Sequence, residues 1–523
     1  MRIAFVTNPA SGEVNIQLAT AQELVLQGHE VTFLSGGSCS RKIDWLRSVL
    51  APQLRHNVHF INLGSGQAVD DFAELCHNRI SSMRKPPGDP TSLRTCMEGA
   101  LDEVEKHAAM AVEVCDYLNE LDPDMVCVDA LSSTLITGIR LTGRKFILMI
   151  PCSPGMTALS GALSPHPVAA NRDGSWKTFL ENLYLRTHEF IYSRTNKARI
   201  AKRRILLRRF GLRSYGTSGD TWLLPPHWED DNCVAGIHFN TPGLLDCPKQ
   251  PSKLVFVGAG VASNRADVTK AASCPEMEWM DEALALGKDV IYMNMGSMFI
   301  WQKKEFWACI GAFEAIYRKR QGRIRFLFKM NAPPPAVKEA NPHLFSVTSG
   351  ELPPYVRLTS WIEDQHAVYS HRALKLFVHH GGGNSFNEAV YFGVPQLILS
   401  QWLDTHEYAM CAEKFGIGLR SARPPLIQQD EMEARVLAIL GPQWPNFKVN
   451  CQAWAMRSQI GGGTVSAAKI ILGHAESAVL SDSSTVSLPL TPKAEPCDVK
   501  TMDEEVDFEG NLLEQPKWAA VGC

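Results

Sequence analysis

The stretch from Leu374 to Gly393, LKLFVHHGGGNSFNEAVYFG, constrains the fold more than any other in the chain. Leu374, Leu376, Phe377 and Val378 form an apolar run short enough for a buried strand. His379 and His380 follow, and then three glycines, Gly381 to Gly383. Asn384 and Ser385 are both good helix N-caps, and Ser385 with Glu388 has capping-box spacing ahead of apolar Ala389, Val390 and Phe392. A strand, a glycine turn and a capped helix together offer an anion free backbone N–H groups and a positive dipole end. Three glycines cost more entropy than a plain turn requires, and they let a phosphate approach the main chain. His380 at the strand's end can add a donor, whereas His379, its strand neighbour, points the other way into the core. The Lys-Ser/Thr of a P-loop and the G-x-G-x-x-G spacing are both missing.

Trp361-Ile362-Glu-Asp-Gln365 precedes this unit, and Gly393-Val-Pro395 and Trp402-Leu-Asp404-Thr405 follow it. Read together, Trp361 to Thr405 resembles the donor-binding signature of the UDP-dependent glycosyltransferases of family one. The resemblance implies that Trp361 stacks on uracil, with Ile362 and Gln365 beside it in the nucleotide site. It gives the diphosphate to the H-G-G-x-N-S turn, here His380, Gly382, Asn384 and Ser385. Ribose falls to Glu388, and the donor sugar to Asp404 and Thr405. There are departures: Trp361 and Gln365 stand one residue further apart than in the usual W-x-P-Q, the proline is absent, and Thr405 replaces a glutamine. On the residues alone, Glu388 equally fits a capping-box partner holding its own helix start.

A chain of 523 residues exceeds one ordinary core and predicts two domains. With 45% hydrophobic and 20% charged residues and a net charge of −3, the composition is globular, without the basic excess of a nucleic-acid binder. The fourteen cysteines contain no C-x-x-C pair, which argues against a zinc site or a disulfide framework and for a reducing compartment. No apolar run reaches membrane-span length, and MRIAFVTNPASG reads as a first strand, so a soluble cytoplasmic protein is expected.

In the first half, Ile3 to Val6, a turn at Asn8 to Gly12, a helix from Ile16 to Leu26 and a strand from Glu30 to Leu34 make a right-handed β-α-β unit. Met125 to Val128 is a second strand, ending in Asp129, where ligands of open α/β sheets gather; Asp129 could also cap the next helix. In the same family G-H-x-x-P precedes the first helix and R-G-H-x-V-T follows it. Gly28-His-Glu-Val-Thr32 fits the second motif, but Glu13 stands where the family's catalytic histidine would stand. An aspartate at the position of Asp129 orients that histidine in the family. Glu13 and Asp129 are therefore the candidate catalytic pair, two carboxylates that could share one proton. Arg194 to Arg213 is basic without an acid. It reads either as a solvated helix face or as an amphipathic segment touching anionic membrane. Trp222 to Pro226 reads as a strand and turn, and Ser263 to Ser273 as a linker.

In the second half, a strand from Asp289 to Met295 runs into Gly296-Ser297, a turn that the resemblance also directs at the diphosphate. The expected architecture is α/β, with two Rossmann-like domains facing across a cleft (GT-B). The acceptor-binding domain spans 1–258 and the UDP-sugar-binding domain 275–445; a helical stretch at 446–475 crosses back, and a disordered tail occupies 476–523. The implied reaction is inverting transfer of glucose or a related hexose from a UDP-sugar to a hydroxyl of a small lipophilic acceptor, such as a terpenoid or polyketide. The alternatives are a non-catalytic nucleotide-sugar binder and a sugar-nucleotide epimerase on the same architecture. No carboxylate cluster suggests a divalent ion, so neither a metal nor a cofactor beyond the UDP-sugar co-substrate is expected.

Overall fold

Phe146–Ile150 is apolar along its whole length and Met125–Asp129 up to its final aspartate, which suits sheets covered on both faces rather than one. The computed structural model describes residues 1–64, 82–92, 104–157, 166–212, 230–245, 250–262, 274–331, 338–339, 344 and 346–482. The expected linker at 263–273, the strand at 222–226 and the tail beyond Asp482 lie outside the described residues.

The described strands form two all-parallel sheets. The first contains β1 (Arg2–Val6), β2 (Glu30–Ser35), β3 (Val58–Asn62), β4 (Met125–Asp129), β5 (Phe146–Ile150), β6 (Cys233–His238) and β7 (Leu254–Phe256), in the order β3-β2-β1-β4-β5-β6-β7. The second contains β8 (Asp289–Asn294), β9 (Ile324–Lys329), β10 (Val356–Thr359), β11 (Leu374–His379), β12 (Gln396–Ile398) and β13 (Gly418–Arg420), in the order β10-β9-β8-β11-β12-β13. Both are doubly wound, and strand order reverses between β1 and β4 in one and between β8 and β11 in the other. Ligands collect beyond the carboxyl ends of strands at such a reversal. The loops after β1, β4, β8 and β11 are therefore the ones to inspect.

Eight helices matter to the argument: α1 (Ser11–Leu26), α2 (Ser40–Val49), α3 (Trp176–Thr195), α4 (Lys197–Arg209), α5 (Gly383–Tyr391), α6 (Asp404–Lys414), α7 (Trp444–Ile460) and α8 (Gly463–Asp482). The first helix begins at Ser11 rather than Ile16, so the expected turn at Asn8 to Gly12 is shorter and Glu13 lies in the helix's first turn. An acid there is favoured by the helix dipole.

The chain's last described helices join the two halves. α7 packs on α5 beside the second sheet, and α8 then packs on α1 beside the first. Ala467, Ala468, Ile471 and Ala475 of α8 are buried in one cluster with Val14, Leu18, Ala21 and Val25 of α1. Small alanines let the helix axes approach closely. α8 continues past Glu476 to Asp482, so the beginning of the expected disordered tail is helical. Ile471 fills the centre of this contact, and Ile471→Ala should cost about 2–5 kcal/mol of unfolding free energy. A denaturant titration showing a loss well under 1 kcal/mol would mean that the contact adds nothing to the core.

Candidate active site

On the second sheet the site is built around the ring of His380. β8 ends at Asn294 and turns through Gly296, whose φ of +80° is left-handed. β11 ends at His379 and turns through Gly381 at φ +92°. A Cβ on Gly296 would come 2.4 Å from Cε1 of His380, and one on Gly382 would come 2.6 Å from Nε2. Only glycine at both places leaves room for the ring. His380 is buried, and its Nδ1 has no hydrogen-bond partner. Burial pushes its pKa down to about 4, so at neutral pH the ring is uncharged and carries one N–H donor. His379 is core, as expected, with Nε2 2.8 Å from Gln396 Oε1.

α5 starts at Gly383 with Gly382 as an N-cap that makes no side-chain bond. Asn384 and Ser385 thus lie within the first turn rather than at the cap, because three glycines let the helix begin earlier than the polar pair suggests. The expected capping box does not form. Glu388 instead accepts a hydrogen bond from Nε2 of Gln365 (2.9 Å) and lies 3.6 Å from Nε2 of His366. Gln365 is a hub: its Oε1 accepts from Tyr292 Oη (2.9 Å) and Asn294 Nδ2 (2.8 Å), and its Nε2 also reaches Tyr369 Oη. Trp361, just beyond β10, is 65% exposed, with Lys329 Nζ 4.8 Å from its ring centre. Ser297 is exposed just past Gly296.

Three of the expected positions are already engaged within the protein. The Ile362 side chain is buried in the core with Met280 and Tyr369, so it can offer a ligand only its main chain. Asn384 Nδ2 donates across the cleft to the carbonyls of Gly12 (3.1 Å) and Ser11 (3.4 Å), which commits that side chain to joining the halves. Thr405 is buried; its Oγ1 accepts from the N–H groups of Gln401 (3.0 Å) and Trp402 (2.9 Å) and donates to the Trp402 carbonyl. That hydroxyl closes a turn.

Three carboxylates lie near this site, two from the first half and one from α6 of the second. Asp129, at the end of β4, is fully buried and accepts hydrogen bonds from Asn8 Nδ2 (2.9 Å) and Leu131 N (2.9 Å). Burial raises its pKa to about 7 despite those bonds. Glu13 is half-buried in the first turn of α1; burial and then the charge of Asp129 raise its pKa to about 8, with Asp404 adding to the effect. Asp404 opens α6 and is raised to about 7 by burial and by Glu407. Glu407 is anchored to the first half by Ser153 Oγ (2.6 Å) and Arg172 (3.2 Å), and the Ser153 N–H approaches Asp404 at 3.4 Å. Lys42 of α2 donates to the Pro9 carbonyl (2.7 Å) and Ser11 Oγ (3.1 Å) and lowers Glu13 in turn. A cavity of about 310 Å³ lies at the amino ends of β1 and β2, lined by Arg2, Glu30 and Tyr117, away from all of these groups.

Residues 343–453 match the family described as the erythromycin biosynthesis protein CIII-like C-terminal domain. Erythritol-mannosyl-transferase 1 of Mycosarcoma maydis is 38% identical, over 91% of this chain and 91% of that protein. The chain belongs to the UDP-glycosyltransferase family. Glycosyltransferase sdnJ of Sordaria araneosa is 23% identical, over 84% of the chain and 90% of its own length. Among solved structures, the glycosyltransferase of kitacinnamycin superposes with a TM-score of 0.59 at 17% identity, covering 90% of this chain and 98% of that one. Glycosyltransferase VinC in complex with DTDP gives 0.56 at 16%, covering 91% and 100%. At such identity these likenesses speak to the fold, which is GT-B.

In this glycosyltransferase, the sequence singled out Glu13 and Asp129, and the structure adds Asn8, Lys42 and Lys329 as their neighbours or those of Trp361. Asn8 carried a signal, since a polar residue directly after β1 must lie at the strand ends. Lys42 and Lys329 carried none, because a single lysine on a helix or strand reads as solvated surface. Asp404 was expected only as a sugar contact, whereas the fold also sets its charge near Glu13.

The raised carboxylates predict a stability effect. A Glu13 pKa raised from 4.5 to about 8 means that the folded state favours the protonated form. Its contribution to stability is then fully present below pH 4.5 and is lost as pH rises through about 8. Glu13→Gln keeps a neutral group at every pH. The glycosyltransferase variant should therefore match the wild type at pH 5 and exceed it by about 1 kcal/mol or more at pH 9. Melting curves that stay parallel across this range would remove Glu13 from the coupled cluster.

Proposed function

We propose that the enzyme transfers a hexose, with inversion, from a UDP-sugar to a hydroxyl of a small polyol-type acceptor. The observation that carries the donor half is His380, neutral, buried and unpartnered at Nδ1, beside the uncapped N-terminus of α5. A diphosphate at that place would accept from the first-turn N–H groups, the imidazole and the Ser297 hydroxyl. Trp361 offers an exposed face for the base, and Glu388, already oriented by Gln365, a carboxylate for ribose hydroxyls. Gly382 leaves room for the His380 ring, and Asp404 would read hydroxyls of the hexose.

On the acceptor side the attacking oxygen forms its bond to C1 as the C1–O bond to the diphosphate breaks. The acceptor's proton passes to Glu13, which with Asp129 holds one proton between two carboxylates near neutral pH. The transition state is oxocarbenium-like, and the negative charge gathering on the leaving diphosphate is met by helix dipole, His380 and Ser297. These groups supply the stabilisation without a step that needs a metal ion. A polyol suits the polar surroundings of Asn8, Lys42 and Ser153, and the relative from Mycosarcoma maydis is named for transfer of mannose to erythritol.

The direct test is incubation with UDP- and GDP-hexoses and a panel of polyols and lipophilic alcohols, with products read by mass spectrometry. Glycosylated polyol from a UDP donor is expected, and exclusive use of lipophilic alcohols or of GDP donors would overturn the acceptor or the nucleotide assignment. His380→Ala should weaken UDP affinity or turnover at least tenfold, about 1.4 kcal/mol for one contact to a charged group. Unchanged affinity together with unchanged turnover would reject the diphosphate role.

A separate expectation concerns the base. Wild-type turnover should rise between about pH 6 and pH 8 as the pair gives up its proton. Glu13→Gln should lose roughly a hundredfold in turnover and retain UDP binding. A variant turning over at the wild-type rate would show that another group takes the proton.

A further inference from the structure

Helix α3 is amphipathic the wrong way round for a helix of a water-soluble domain. Its buried residues are Thr178, Asn182, Leu185 and Tyr192, of which the first two are polar. Its large apolar side chains point outward: Trp176 is 70% exposed, Leu183 55% and Phe190 63%, with Phe179, Leu180 and Ile191 also exposed. Their spacing, at positions 176, 179, 180, 183, 190 and 191, keeps them on one face of a 3.6-residue helix. The helix is held inward by polar bonds instead. Thr178 Oγ1 donates to Asp173 (2.8 Å), and Asn182 Oδ1 accepts from the His166 N–H (2.8 Å). The carboxylates of α3 turn inward as well. Glu181 accepts from the backbone N–H groups of Ala170 (2.6 Å) and Asn171 (2.9 Å), and Glu189 lies 3.7 Å from Nε2 of His166.

What remains on the outside is apolar and basic. Lys177 lies beside Trp176 and is exposed, and exposed Arg194 sits 5.6 Å from the ring centre of Phe190. α4 follows directly. It buries Ile200 with Tyr192 of α3, packs Ile205 and Leu206 inward, and exposes Lys197 and Arg208. No acid occurs from Arg194 to Arg213. Among the described residues no helix is long and apolar enough to cross a membrane.

We propose that the outward face of α3, with the basic rim of α4, is a docking surface for an anionic lipid bilayer. Side chains of this kind enter the boundary between headgroups and acyl chains, while lysine and arginine pair with lipid phosphates and carboxylates. Charge decides between this occupant and a second copy of the chain. A symmetric dimer through α3 would bring two basic rims together, whereas an anionic surface complements one. The surface is distinct from the groups assigned to donor and acceptor, so the inference does not rest on the proposed reaction.

The test uses the full chain with sedimenting vesicles of phosphatidylcholine alone or with about one-third phosphatidylserine, a surface that attracts basic segments. Wild-type protein should sediment with the anionic vesicles only, and at least tenfold less in high salt. Leu183→Glu with Phe190→Glu should abolish sedimentation without changing the melting temperature, since both side chains are exposed. Lys197→Glu with Arg208→Glu should remove the preference for phosphatidylserine. The proposal is overturned by absent sedimentation of the wild type, by equal sedimentation of the Leu183→Glu/Phe190→Glu protein, or by a wild-type dimer that this pair of changes dissolves.

Discussion

The two halves of this enzyme meet at a separation that no side chain permits. A Cβ on Gly383 would lie 2.2 Å from the carbonyl oxygen of Pro151, the residue that follows β5 of the other sheet. This contact sets the start of α5 against the first half, and the polar links follow from it. Asn384 reaches the carbonyls at the start of α1, Asn387 Nδ2 donates to Asn240 Oδ1 (2.6 Å), and Glu407 is held by Ser153 and Arg172. The amino ends of α1 and α5, both partly positive, are thereby brought to one place. Glu13, Asp129 and Asp404 bring their carboxyl groups to the same place. Burial then keeps those acids from ionising at their ordinary pH.

The parts of this arrangement that were legible in the sequence are local. An apolar run followed by glycines and a polar pair reads as a strand turning into a helix, and the structure has that strand and helix. The doubly wound sheets were legible for the same reason, since each β-α-β unit carries its own periodicity. A boundary that depends on glycine was misjudged: Ser385 reads as a cap on propensity, but Gly382 caps the helix three residues earlier.

The illegible parts depend on partners distant in the chain. Nothing near Asn384 announces that its amide will bond the backbone around Gly12, and nothing near Thr405 shows that its hydroxyl will be taken up by the turn it closes. Glu388 was ambiguous between a capping role and a ligand role, and only Gln365, itself held by Tyr292 and Asn294, separates the two. Ile362 is a motif position whose side chain packs in the core.

Thr405 carries a wider consequence. Its hydroxyl is engaged by Gln401 and Trp402, at a position where the family has a long amide. On the proposed reading, telling one hexose epimer from another then falls to Asp404 alone. A lone carboxylate accepts hydrogen bonds from equatorial or axial hydroxyls with little preference. Such a site tolerates stereochemical variety in its donor, and its choice of sugar would follow what the cell supplies as much as what the pocket refuses.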